Sequence, residues 1–333
     1  MTRSVVLPAA RAPVAVVEVP IPEPAPGHVL VKMEACGICH SDLFIAGMEK
    51  PPLLPLVLGH EGIGRVEKIG PGVNSVSLGD RVGITFLASS CGACEWCRSG
   101  RERFCPRQTN SGYTVQGVLA GYASICAQHL VRVPDTLAAA VAAPLCCAGW
   151  TAYHAVREAG LQPGNTLAIF GMGGLGHLAV QYARHAQLRV VAVDVSEEKL
   201  ALAREVGAEV TVLAENAGRS LQKDRGGVDA AVVFTASTAA IGQALRSLKR
   251  CGTLVLVGLA HGSFEMPVVD TVLKGITIRG SFLGTREDLE HVFRLAAEGA
   301  VRPRIERHTI DEAPELLQRM HRGELVGRAV VEF

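Results

Sequence analysis

The chain has 333 residues, 48% of them hydrophobic and 20% charged, with a formal net charge of +1. That length exceeds one ordinary core and suits two domains. The balance of 33 Lys+Arg against 32 Asp+Glu excludes the electrostatic footprint of a nucleic-acid or anionic-membrane binder and points to small-molecule chemistry.

The first 85 residues or so are rich in Val, Gly and Pro, with short runs at 28–33 and 64–69 that read as strands joined by turns at Pro71-Gly72 and Gly79-Asp80. The early prolines, among them Pro8, Pro13 and the cluster over 20–26, leave no long apolar core for a signal peptide, so a cytoplasmic location is expected. Mean hydropathy of +0.26 raises the membrane question, and 137–156 is the stretch to test. Pro144, Gly149 and His154 interrupt it and two cysteines stand at its centre, so a buried segment and no membrane partner are expected.

From about Gly164 the texture changes to alternating strand and helix. Strands are expected at 166–170, 189–193, 210–213, 230–235 and 253–258, and helices up to about Gln187 and over 199–206 and 239–248. That alternation means βαβ units and a parallel sheet covered on both faces. The tail holds helical stretches at 287–298 and 311–322 and closes with a strand at 328–333, able to rejoin either unit.

Ten cysteines without a signal peptide suggest metal rather than disulfides. Cys91, Cys94, Cys97 and Cys105 lie within fifteen residues, where Gly92 and Gly100 supply turns. Four thiolates on a short loop wrap one tetrahedral zinc, and a closed coordination shell makes the role structural. A disulfide pair or a nucleic-acid-binding zinc ribbon is the alternative; the neutral charge and the nearby Asp80, Glu95 and Glu102 argue against the ribbon.

Three further segments carry ligand types for an open site: Gly37-Ile38-Cys39-His40-Ser41-Asp42, Gly59-His60-Glu61 and Pro144-Leu145-Cys146-Cys147-Ala148-Gly149. One Cys, one His and another Cys leave a fourth zinc position for water or substrate, as catalysis requires. Spacing alone does not choose between Cys36 and Cys39 or between Cys146 and Cys147.

After the expected strand at 166–170 comes Gly171-Met172-Gly173-Gly174-Leu175-Gly176, then a helix, then a strand ending in Asp194. In that context the turn is a dinucleotide fingerprint: Gly171 for the tight turn, Gly173 for backbone approach to the pyrophosphate, Gly176 for helix–strand packing. Gly174 and Leu175 complete a turn whose phosphates sit at a helix N-terminus. Asp194 suits the ribose hydroxyls and would repel a 2′-phosphate, and Val195-Ser196-Glu197-Glu198 offers no Arg to receive one. NAD is therefore expected over NADP.

Taken together, these motifs resemble the zinc-containing medium-chain alcohol dehydrogenases, especially the bacterial and yeast-like branch. The likeness runs almost end to end and includes Gly59-His60-Glu61-Gly62, Ser111-Gly112-Tyr113-Thr114, Cys147-Ala148-Gly149-Trp150-Thr151 and Gly327-Arg328. It implies an α/β fold: a β-rich GroES-like catalytic domain over 1–150 with a zinc lobe at about 88–108, and a doubly wound Rossmann domain over 151–284. Residues 285–333 return to the catalytic domain. By resemblance Cys39, His60 and Cys147 hold the catalytic zinc, with Glu61 as an alternative ligand, and Asp42 orients His60. Lys199 touches the ribose, His40 and Arg328 contact the pyrophosphate, Thr151 packs beside the nicotinamide, and Phe86 and Trp150 line the substrate pocket.

The implied activity is reversible hydride transfer between a primary alcohol (or a secondary or aromatic one) and NAD, with two zincs per chain. Ser41 carries the alcohol's proton. Where better-known members of the family continue that relay with a histidine, this chain has Phe44, which carries no proton and is placed with the pocket residues; either a water chain, His40 or another group then takes the step, or proton release is slower at neutral pH. A polyol dehydrogenase of the same fold is the rival reading, and a non-catalytic zinc-ribbon protein the distant one. The family resemblance also implies a homotetramer, or a homodimer, paired through the edge of the cofactor-domain sheet.

Overall fold

The strand His28–Gly37 alternates little because both of its faces are covered. In the computed structural model, which describes residues 1–333, it anchors a seven-stranded sheet. In order the path runs Val131–Arg132, Arg81–Ile84, Gly62–Ile69, His28–Gly37, Arg328–Glu332 and Ile305–His308, with Tyr122–Cys126 also paired to His28–Gly37. Val29, Val31, Val82, Ile84, Leu119 and Val331 fill the core beneath it.

The last strand, Arg328–Glu332, is buried along four of its five residues. It pairs antiparallel with His28–Gly37, setting Val331 opposite Cys36, and parallel with Ile305–His308. The C-terminal residues thus complete the N-terminal sheet. By compactness the chain divides into Met1–Trp150 with Thr285–Phe333, and Thr151–Gly284.

The second unit carries six parallel strands in the order Val210–Leu213, Arg189–Asp194, Thr166–Phe170, Val228–Val233, Leu248–Leu256 and Thr277–Gly280. Every residue of Thr166–Phe170 is buried, as a central parallel strand demands. The strand order reverses beside it, the switch point at which open α/β sheets bind ligands beyond the strand ends.

Several boundaries shift from the sequence expectation. The strand expected at 253–258 begins at Leu248, passes Cys251 with φ 58, and ends at Leu256. The helix Ala217–Arg225 has only Ala217, Gly218 and Leu221 buried, too few apolar residues to announce it. The helix Val268–Lys274 buries none, so its valines and leucine give no amphipathic period. The stretch 137–156 becomes two helices, Ala139–Ala142 and Ala148–Glu158, joined by a 3-10 turn over Ala143–Cys146. No single helix is long and apolar enough to cross a membrane, and the bent pair that passes together turns by 49° at its break.

Candidate functional site

That break is where Cys147 sits, with φ −132 and ψ −69 between the 3-10 turn and the following helix. Cys39 immediately precedes the helix His40–Ala46, and its N–H donates to Asp42 Oδ2 at 2.8 Å. The other Asp42 oxygen accepts from Gly59 N–H at 3.3 Å and stands 3.3 Å from His60 Nδ1. One fully buried carboxylate therefore ties the Cys39 segment to the His60 segment. The ligand atoms of Cys39, His60, Glu61 and Cys147 all fall within 4.8 Å of one another.

Cys36 and Cys146 are not part of that group. Their thiols contact the carbonyls of Gly37 and Gly62, and burial pushes both well up from 9.0. Each is a neutral, packed thiol.

The donor set fits zinc. Two thiolates on one tetrahedral zinc lie about 3.8 Å apart, from bonds of about 2.3 Å, and the Cys39 and Cys147 sulfurs are 4.0 Å apart. His60 Nε2 is fully buried without a hydrogen-bond partner, a costly orphan unless a ligand takes it. Electrostatics agree. A hydrogen bond from Cys147 lowers the Cys39 pKa well below 9.0 and raises that of Cys147. Burial works to lower His60, but Asp42 and Cys39 outweigh it and hold the ring well above 6.5. Protons on Cys147 and His60 thus stand where a cation would let both thiolates ionise.

Glu61 belongs to the same cluster, its carboxylate paired with the Arg328 guanidinium. Both are buried, Arg328 to 4% exposure. Burial pushes the Glu61 carboxyl up to about 8 against the opposing pull of Arg328. The Arg328 guanidinium meets Glu61 through Nη2, while its Nε is buried without a partner.

Ser41 Oγ is 3.7 Å from Cys39 Sγ, at the edge of the cluster. Phe86 meets the His60 ring edge-on, with centroids 5.3 Å apart and planes at 79°. Trp150, expected to line the pocket, is 3% exposed and its Nε1–H donates to the Thr285 carbonyl at 2.7 Å. It is a core residue, since a buried indole N–H must find an acceptor. Phe44 is 47% exposed and His40 is also exposed, both on the helix His40–Ala46.

The cysteine lobe is more open. Cys91, Cys94 and Cys97 are half-buried and Cys105 is buried. Sulfur separations of 3.8 Å (Cys91–Cys97) and 3.5 Å (Cys94–Cys97) match one tetrahedral ion and exclude a disulfide. Backbone N–H groups of Cys94 and Cys91 donate to Cys91 and Cys105 sulfurs, each at 3.4 Å. Such amide contacts, with Ala93 first, bring the Cys91 thiol down to about 5.

In the other unit, the glycine turn has the form a dinucleotide needs. Gly171 has φ +97. A Cβ on Gly176 would collide with the Gly171 carbonyl, whereas one on Gly173 would meet nothing within 4 Å, so that backbone is bare toward a ligand. Asp194 accepts from Met172 N–H at 2.6 Å and from Ser196 N–H at 2.9 Å. It clamps the turn and keeps one lone pair on each oxygen. Lys199 is half-buried, on the first turn of the helix Glu197–Glu205 capped by Ser196, and Thr151 Oγ1 is buried without a partner.

Sequence reasoning assigned no role to His177, whose Nδ1 lies 3.0 Å from the Gly173 carbonyl and braces the turn. It also left Tyr113 unassigned, although that ring stacks on Phe86. The signal for His177 was its place directly after the glycine turn, and for Tyr113 its place within Ser111-Gly112-Tyr113-Thr114.

Comparison with known proteins agrees with this geometry. A family model described as alcohol dehydrogenase GroES-like domain matches residues 25–135, and one described as zinc-binding dehydrogenase matches residues 174–298. An alcohol dehydrogenase of Geobacillus stearothermophilus is 45% identical over 320 residues, covering 95% of this chain and 94% of the relative. The crystal structure of the alcohol dehydrogenase from the archaeon Aeropyrum pernix superposes with a TM-score of 0.92 at 32% identity, covering 99% of this chain and 100% of that one. The structure of acetophenone reductase from Geotrichum candidum in complex with NAD gives 0.89 at 32% identity, covering 100% and 97%. A buried Cys–His–Cys cluster, a four-cysteine lobe and a clamped glycine turn, in a chain with these relatives, have one explanation: the chain belongs to the zinc-containing medium-chain alcohol dehydrogenase family.

Proposed function

We propose that this alcohol dehydrogenase interconverts a primary alcohol and its aldehyde with NAD, using one zinc on Cys39, His60 and Cys147 and a structural zinc in the Cys91–Cys94–Cys97–Cys105 lobe. The observation that carries the reading is the buried Cys39/His60/Cys147 set, in which His60 Nε2 is an orphan. When bound, zinc supplies a Lewis acid that acidifies the alcohol hydroxyl, and the nicotinamide supplies the hydride acceptor.

The chain's own residues do the rest. Cys39 and Cys147 contribute the two negative charges that neutralise the metal, and Asp42 orients the His60 ring. Glu61 stays paired with Arg328 beside the cluster. Ser41, beside Cys39, accepts the hydrogen bond of the alcohol hydroxyl and takes its proton. Phe44 offers no proton acceptor, so the exposed His40 next to Ser41, or solvent, receives the proton. The bare Gly173 backbone admits the pyrophosphate. The Asp194 carboxylate favours NAD, since a 2′-phosphate there would meet a like charge.

Phe86 beside His60 supports an apolar substrate wall and argues against the polyol alternative, which needs hydroxyl-binding groups there. Ten free cysteines suit a reducing compartment and support a cytoplasmic enzyme. A homotetramer, or a homodimer, is proposed through the sheet edge formed by Thr277–Gly280. The neighbouring Leu259, Val268, Val269, Val272 and Leu273 are each at least 67% exposed.

The test is a steady-state screen of primary, secondary and benzylic alcohols with NAD and NADP, joined to metal analysis. Primary alcohol oxidation with NAD and two zincs per chain is expected, and Ser41→Ala should cut turnover sharply while keeping both zincs. Undiminished turnover by metal-free protein, or a preference for NADP, would sink the corresponding assignment.

A further inference from the structure

The Ser111-Gly112-Tyr113-Thr114 motif has no role in the chemistry so far, yet its loop is built tightly against the metal-binding histidine. The N–H groups of Tyr113, Thr114 and Val115 all donate to the Asn110 carbonyl, at 3.2, 3.0 and 3.2 Å. Thr114 Oγ1 accepts from Asn110 N–H at 2.7 Å, closing the turn on itself. Ser111 N–H donates to the Phe86 carbonyl at 2.9 Å, so the loop also holds the backbone that carries Phe86.

Gly112 turns with φ +68, and a Cβ there would lie 2.8 Å from the Gly59 carbonyl. The loop backbone therefore rests on the residue immediately before His60. The side chains repeat the contact. Tyr113 stacks on Phe86, with centroids 6.3 Å apart and planes at 16°, and Phe86 in turn presents itself to His60 at 5.3 Å and 79°. Phe86 and Tyr113 are each half-buried and both pack against the core of this unit, so the Tyr113 ring is one of the surfaces that set how far Phe86 leans toward His60.

We propose that Tyr113 is a specificity-determining positioning residue: by backing Phe86 against the His60 ring, it keeps the substrate site narrow and favours unbranched primary alcohols over branched and ring-bearing ones. The inference rests on the reading that the alcohol binds at the Cys39/His60/Cys147 cluster. An alcohol whose oxygen shares a metal with His60 has its carbon skeleton within a few ångströms of that ring, in the space Phe86 borders. A rigid wall there costs a slender chain nothing and penalises each added methylene group beside the hydroxyl. The stack needs the ring of Tyr113, not its hydroxyl.

Wild type, Tyr113→Ala and Tyr113→Phe are compared on 1-propanol and cyclohexanol with NAD, reading KM and kcat separately. Ligand-observed NMR titration of both alcohols gives the binding ratio without turnover. Tyr113→Ala should shift the KM ratio toward cyclohexanol by about tenfold, leave kcat for 1-propanol within about twofold, and retain both zincs. Tyr113→Phe should keep the wild-type ratio. If Tyr113→Ala does not fold, Tyr113→Leu, which fills the volume without a stacking face, is read for the same ratio. An unchanged ratio in the truncated variant, or Tyr113→Phe behaving like Tyr113→Ala, overturns the proposal. A wild type that binds both alcohols in the titration but oxidises neither refutes the enzymatic reading instead, and the binding ratio still decides the role of Tyr113.

Discussion

Acidification should loosen this protein through one histidine, His129. Its Nε2 lies 2.9 Å from Ser90 Oγ and its Nδ1 lies 3.2 Å from Arg286 Nη2. A guanidinium only donates, so Nδ1 must be the acceptor and the ring must be neutral, with its proton on Nε2 facing Ser90. Burial first, and Arg286 second, bring its pKa from 6.5 down to about 4. The unfolded chain therefore takes up a proton below about pH 6.5 that the folded chain refuses until about pH 4.

Stability conferred by the neutral ring is present above pH 6.5 and is lost as the pH falls through that window. The gap corresponds to about 3 kcal/mol, reduced to about 2 kcal/mol because the ring is not fully sealed from solvent. Ser90 adjoins Cys91, and Arg286 opens the helix Arg286–Ala297, so the strain falls on the base of the cysteine lobe and on the start of the C-terminal segment. Urea denaturation of wild type and His129→Gln at pH 7.5 and 4.5 measures it. The wild type should lose about 2 kcal/mol more than the variant between the two pH values. A wild type–variant difference that stays constant with pH would refute the argument.

Arg328→Met strands the buried Glu61 carboxylate and should cost about 3–5 kcal/mol. Adding Glu61→Gln should recover more than half of that loss, as read by denaturant titration of both variants. Cys97→Ser should lower zinc content from two to one per chain and reduce Tm, measured by metal analysis and calorimetry; retention of both ions would contradict the lobe assignment. Gly176→Ala drives a methyl group into the Gly171 carbonyl. It should weaken NADH binding at least about tenfold, seen in nicotinamide fluorescence, while zinc content is unchanged.

Much of the second unit was legible because its signals are local. The strand Thr166–Phe170, the glycine turn and Asp194 follow one another within thirty residues, and the apolar run and turn chemistry name the motif before any packing is known. The helix Val268–Lys274 escaped because it buries nothing within its own chain; periodicity reports a buried face, and here there is none. In the cysteine lobe, short spacing brings the sulfurs together without help from the fold.

The sequence by itself thus determined the chemistry on offer: thiolates and imidazole for zinc, a phosphate-binding turn, and a carboxylate for a ribose. Only the tertiary structure decided who meets whom. Cys39 and Cys147, 108 positions apart, converge because the 3-10 turn Ala143–Cys146 packs on the strand His28–Gly37, which leads directly into Cys39. Arg328 closes on Glu61 across 267 positions because the last strand inserts beside His28–Gly37. A long-range ion pair and a stack of rings leave no trace in local spacing, since their energy comes from excluding water in a core that forms only when distant segments meet.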